Sequence, residues 1–123
     1  MSTEKSIGEM IEAKGMTAPR ITPAAIEANI VSEHYFTAAD GHAGANEHTL
    51  DADHPLNLLT FCVLVLRNGF TVTGESACAS PENFDAEIGR KVARAQAVSK
   101  IWPLMGYELK SQLAVIENLK AGA

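Results

Sequence analysis

Nothing in this 123-residue sequence approaches a membrane span. Its longest apolar run, Leu58 to Leu66, is about half of the roughly 20 residues that a transmembrane helix requires. Cysteine is scarce too: the two present, Cys62 and Cys78, exclude a disulfide miniprotein. A chain of this length can bury roughly two-thirds of its unfolded surface, so its core needs neither metal nor disulfide. Basic charge is in short supply, with ten Lys and Arg against fifteen Asp and Glu and a formal net charge of -5. That balance argues against a coat on duplex nucleic acid, where cations must neutralise phosphates. Met1 to Lys14 alternates charged and apolar residues and lacks the continuous apolar segment of a signal peptide. Internal repeats and glycine-rich phosphate loops are missing. The expectation is a cytoplasmic domain without membrane contact.

The charge is unevenly spread. Met1 to Thr60 holds nine acids and three bases, whereas Phe61 to Ala123 holds six acids and seven bases. Residues 1–20 read as a flexible extension, with Ile7, Met10, Ile11 and Lys14 at helical spacing and Gly8 and Gly15 weakening any helix. Thr22-Pro23 is an N-cap followed by a first-turn proline, which predicts a short helix to about Asn29. Ile30 to Thr37 reads as a strand. From Ala38 to Asn57 small, polar and charged residues show no period, and a long mobile loop is expected there. Leu58 to Leu66 is aliphatic on both faces, which suits a central strand.

Asn68-Gly69 marks a hairpin, because both residues tolerate the positive φ of a two-residue type I′ turn. That turn would pair Leu66 with Thr71, Val65 with Val72 and Leu64 with Thr73. Phe70, Val72 and Gly74 would share one face and Thr71, Thr73 and Glu75 the other. Ser80-Pro81-Glu82 reads as a helix start. Phe84, Ile88, Val92, Ala95, Ser99 and Trp102 then recur at helical spacing, and Pro103 is expected to kink or restart the helix. The fold class is α+β: a small antiparallel sheet centred on the hairpin, packed against a long, kinked C-terminal helix, with residues 21–123 as one domain.

Few groups carry chemistry. Asp40, His42, Glu47, His48, Asp51, Asp53 and His54 invite a metal reading, but their spacing fits no zinc or calcium loop. Cys62 and Cys78 should lie beyond bridging distance in the expected register, as reduced thiols. Glu75 and Glu87 have no interpretable catalytic spacing, so no enzyme, cofactor or metal is expected. The basic helix is more informative. Arg90 and Arg94, four residues apart, share a face on which two guanidinium groups can grip a phosphate, with Lys91 and Lys100 nearby. The competing reading is a solvated face with Glu87 paired to Arg90 or Lys91. Ala93, Ala95 and Ala97 permit a close approach to the helix, as a core contact or a protomer interface. Trp102 and Tyr107 are better explained by packing than by base stacking.

The stretch Leu59-Thr60-Phe61-Cys62-Val63-Leu64, with Arg67-Asn68-Gly69-Phe70, Thr73-Gly74-Glu75-Ser76-Ala77-Cys78, Asn83-Phe84-Asp85, Ile88-Gly89-Arg90-Lys91, Ile101-Trp102-Pro103-Leu104, Gly106-Tyr107 and Leu109, resembles a small phage-protein family. That family is named after gene product 49 of one coliphage and gene 66 of another. The likeness extends to the Thoeris anti-defence one proteins, phage sponges that hold signalling nucleotides, chiefly a cyclic ADP-ribose isomer, without cleaving them. It implies a non-catalytic phage or prophage protein of the host cytoplasm that sequesters a nucleotide-derived defence signal as a homodimer or larger homo-oligomer. Motif position carries over Asn83, Phe84 and Arg90 as ligand-binding residues. Chemistry and placement add Arg67, Arg94 and Gln96. Arg94 and Gln96 stand where the family often has Tyr and Asn, and the His- and Asp-rich segment before Leu58 looks like an insertion. The alternative is a small phage interaction protein that binds a host protein through its helical face, with no small-molecule ligand.

Overall fold

The computed structural model describes residues 3–16 and 18–122, so Met1, Ser2, Thr17 and Ala123 lie outside the described residues. In chain order the elements are α1 (Thr3–Ala13), α2 (Pro23–Ala28), β1 (Ile30–Thr37), α3 (Ala38–Asn46), a 3-10 turn (Pro55–Leu58), β2 (Leu59–Leu66), β3 (Thr71–Ala77), a second 3-10 turn (Pro81–Asn83) and α4 (Ala86–Ala121). This is the expected α+β class. The chain divides into two compact units, residues 30–101 and residues 1–29 with 102–123.

The larger unit is built on a three-stranded antiparallel sheet of order β1-β2-β3. β2 is the central strand, as its aliphatic run implies. Its residues alternate between half-buried and buried, with Thr60, Cys62, Leu64 and Leu66 on the covered face. Val72 and Gly74 of β3 continue that face, while Thr71, Thr73 and Glu75 are exposed.

The hairpin is present, but its register is one residue away from the expected one. Leu64 faces Val72 and Val65 faces Thr71. The loop has three residues rather than two: Gly69 N–H donates to the Leu66 carbonyl at 2.9 Å, and Leu66 N–H donates to the Phe70 carbonyl at 2.8 Å. Only Gly69 has positive φ, at 88°, as in a type I turn closed by a glycine bulge. The Asn68 side-chain oxygen accepts from Phe70 N–H at 2.9 Å, which is its contribution to the turn. The physical reason for the shift lies in the faces. Residues opposite one another must point the same way, and only the observed register puts buried Leu64 beside buried Val72.

The covered face is closed by residues 86–101 of α4. The buried helix residues are Gly89, Ala93, Ala97 and Ile101, a strict four-residue step. The larger apolar residues that recur at helical spacing are not the covered face: Ile88 is 61% exposed and Val92 49%, and the small residues go inward instead. Gly74 explains why. A methyl group built on it would run into the backbone carbonyl of Ala93 and the amide nitrogen of Ala97, so strand and helix touch backbone to backbone. The small-residue stripe is thus a core contact.

Two other expectations change. Ala38 to Asn46 is helical despite Gly41 and Gly44, because Thr37 and Asp40 form a reciprocal capping box. Ser80 provides no side-chain cap, and Pro81 starts only a 3-10 turn. The long helix begins five residues later, where Asp85 Oδ1 accepts from Ile88 N–H at 3.1 Å. It then runs without interruption through Pro103.

In the smaller unit Thr22 caps α2 as expected, its hydroxyl oxygen accepting from Ala25 N–H at 3.1 Å. Ile7, Ile11, Ile21, Pro23 and Trp102 line an apolar depression of about 220 Å³. The indole Nε1 of Trp102 is buried with no hydrogen-bond partner among the described residues. No described helix is long and apolar enough to cross a membrane.

Candidate functional site

Strand alternation sends Glu33, Tyr35 and Thr37 of β1 to the sheet face that α4 covers, opposite Leu64, Cys62 and Thr60. The side chains there form a network. Arg94 reaches across from α4 and holds Glu33 with both ends of its fork, Nε to Oε1 at 2.9 Å and a terminal nitrogen to Oε2 at 3.2 Å. Tyr35 donates its hydroxyl proton to the same Oε1 at 2.7 Å. The Arg94 and Tyr35 bonds favour the charged carboxylate and hold Glu33 below the usual carboxylate range. Burial, reinforced by Glu33, pushes the Tyr35 phenol well above its ordinary value. Burial likewise raises the Cys62 thiol, which argues for a protonated packing group rather than a nucleophile.

Beside this network is a cleft of about 160 Å³ lined by Tyr35, Phe36, Thr37, Asp40, Thr60, Phe84, Ala86 and Arg90. Four local features assemble it: the end of β1 with the capping box that follows, the start of β2 at Thr60, the Phe84-Asp85 entry to α4, and the first two turns of the helix. Arg90 has no hydrogen bond or ion pair among the described residues. Glu87 pairs instead with Lys91, at 3.3 Å.

The six sequence-derived site residues separate on this geometry. Phe84 and Arg90 meet in the cleft. Asn83 lies in the preceding 3-10 turn, exposed. Arg67 is exposed in the hairpin loop. Arg94 is bound to Glu33, so a phosphate there would have to compete with a bidentate carboxylate. Gln96 is engaged elsewhere: its side-chain oxygen accepts from Glu75 N–H at 2.6 Å and satisfies an edge amide of β3. Sequence reading missed Tyr35, Thr37, Thr60 and Asp40 as cleft residues. The Thr37-to-Asp40 spacing was the available signal, since a capping box there replaces the supposed loop by a helix.

The histidine-rich segment is more ordered than its composition implied. His54 Nδ1 accepts from Leu56 N–H at 3.1 Å, and the rings of His42 and His48 meet edge to face with centroids 6.1 Å apart. Among the described residues no three His, Cys, Asp or Glu side chains converge as a metal-ligand group. Cys62 and Cys78 are both free thiols; Cys78 lies alongside Leu58, whose carbonyl accepts its amide at 3.0 Å.

Sheet, helix and cleft together define a small α+β protein with a side-chain-lined recess of mixed charge. Residues 21–113 match the phage protein family described by phage N4 Gp49 and phage Sf6 gene 66, and the chain belongs to that family. No curated protein and no solved structure matches it.

Proposed function

We propose that this phage-family protein captures a nucleotide-derived defence signal of the cyclic ADP-ribose type in the Phe84–Arg90 cleft and sequesters it unaltered. The observation that carries the reading is Arg90, a guanidinium without a partner among the described residues, lining one recess with three aromatic rings, Phe84 among them, and two threonines. A phosphate satisfies the guanidinium, and the Phe84 ring supplies an apolar surface for a sugar or base. Family membership supports a phage setting, and so action in the host cytoplasm. The test is calorimetry with cyclic ADP-ribose isomers, followed by recovery of the ligand. A stoichiometric complex that releases intact ligand is expected, with binding lost in Arg90→Glu while circular dichroism stays unchanged. Absence of heat with every isomer would sink the reading.

A second reading has its own support. Ile88 and Val92, 61% and 49% exposed, put adjacent apolar side chains on the outer face of α4. That face suits a second copy of the chain, as a homodimeric sponge requires, or a host protein. Native mass spectrometry separates the two: Val92→Glu abolishes a dimer in the first case, and in the second removes a defined host partner from a pull-down without altering a monomer.

A further inference from the structure

The cleft carries two opposite charges that do not neutralise each other. Arg90 and Asp40 both line it, and no ion pair joins them among the described residues. The Asp40 carboxylate is positioned by its own cap, with Oδ2 accepting from Thr37 N–H at 3.0 Å; its other oxygen makes no hydrogen bond among the described residues. Tyr35 adds to the same character. Its only proton points at Glu33, so toward any other neighbour the phenol oxygen is an acceptor.

A purely anionic ligand does not fit this wall, because a phosphate beside Asp40 would be repelled. A ligand with a phosphate at one end and hydroxyl donors at the other does fit. The volume narrows the choice further, since about 160 Å³ is well below the roughly 300 Å³ at which whole-ligand pockets begin. One sugar phosphate of such a ligand is the natural occupant, and the rest of the molecule stays outside the recess.

We propose that the cleft is a ribosyl-phosphate subsite, in which Arg90 takes the phosphate and Asp40, with the Tyr35 oxygen, accepts hydrogen bonds from the ribose hydroxyls. This assignment rests on the nucleotide-capture reading and names the fragment and the orientation that the reading leaves open. Asp40 is the specificity-determining residue. A carboxylate that accepts from a vicinal diol favours the ribonucleotide, because the deoxy analogue forfeits a hydrogen bond to a charged acceptor.

The experiment is an NMR titration of the labelled full chain with adenosine 5′-monophosphate and with its 2′,3′-dideoxy analogue. The ribonucleotide is expected to bind about 10-fold more tightly, shifting the amides of Thr37 to Asp40 and of Arg90. In Asp40→Asn, whose amide oxygen can still cap α3, the preference is expected to fall to within about 2-fold while binding of the dideoxy compound is retained. Equal binding of the two compounds to the wild type, or a preference that survives in Asp40→Asn, overturns the assignment. If cyclic ADP-ribose isomers still bind and Arg90→Glu still abolishes that binding, the capture reading stands without it. Binding of the cyclic isomers but not of the monophosphate also overturns the subsite. Absence of binding by any of these compounds overturns both.

Discussion

Gly74 and Gly89 sit at the same sheet–helix contact, yet alanine should behave differently at each. A methyl at Gly74 meets helix backbone that cannot yield, whereas at Gly89 it approaches only the Thr60 hydroxyl, at 3.1 Å. Gly74→Ala is therefore expected to cost about 2–3 kcal/mol or more, as overpacking against a fixed partner does. Gly89→Ala should stay within about 1 kcal/mol of wild type, because higher helix propensity offsets the crowding. Urea midpoints with unchanged m-values test the pair. Glu33 supplies a pH-dependent case. Its folded-state carboxyl titrates below the unfolded one, so its contribution is present above the unfolded value and disappears as pH falls through the folded value. Glu33→Gln should cost about 1 kcal/mol at neutral pH, a figure that allows for the partial exposure of the pair. The gap between the two melting curves should close as pH drops below the carboxylate range. A constant gap would mean that Glu33 acts through packing instead.

At the scale of elements, the strands and α2 were legible because each carries a local signal: period-2 alternation, a β-rich run, or a hydroxyl before proline. The hairpin shows where such signals stop. Asn-Gly locates the turn but is compatible with two-residue and three-residue loops, and only the requirement that Leu64 and Val72 share the covered face separates them. Because φ in the hairpin is positive at Gly69 alone, Gly69→Ala is expected to destabilise by about 1 kcal/mol, while Asn68→Ala, which loses only the side-chain bond to Phe70 N–H, should cost about 0.5 kcal/mol. Denaturation of both variants checks this. α3 was hidden by its glycines. Its stability depends on the Thr37–Asp40 box, so Thr37→Ala should cost about 1 kcal/mol and raise amide exchange across residues 38–46 before that of β2. The helix start at Ser80-Pro81 misled because proline and acid were present without a side-chain cap, and Asp85 held that role.

At the scale of the molecule, the family and the α+β class were readable from motifs. The cleft was readable only in part. Phe84 and Arg90 belong to a motif on a short stretch of chain, whereas Tyr35 and Asp40 flank the β1–α3 junction and meet Thr60 only through the pairing of β1 with β2. Arg94 and Gln96 looked equally available on chemical grounds. Their partners, Glu33 and the Glu75 amide, lie 61 and 21 residues away, which spacing along the helix does not reveal. The formal charge of -5 is likewise a poor guide to the recess, whose lining includes one guanidinium and one carboxylate.

The contact at Gly74 also bears on how the cleft responds to a ligand. With strand and helix backbones already touching at Ala93 and Ala97, α4 cannot slide toward the sheet, and Arg90 is anchored less than one turn before Ala93. The recess is therefore stiff on its helical wall. Adjustment on binding falls to α3 and the Phe84 entry, so a ligand should meet a site whose gauge was fixed at folding by a side chain that is not there.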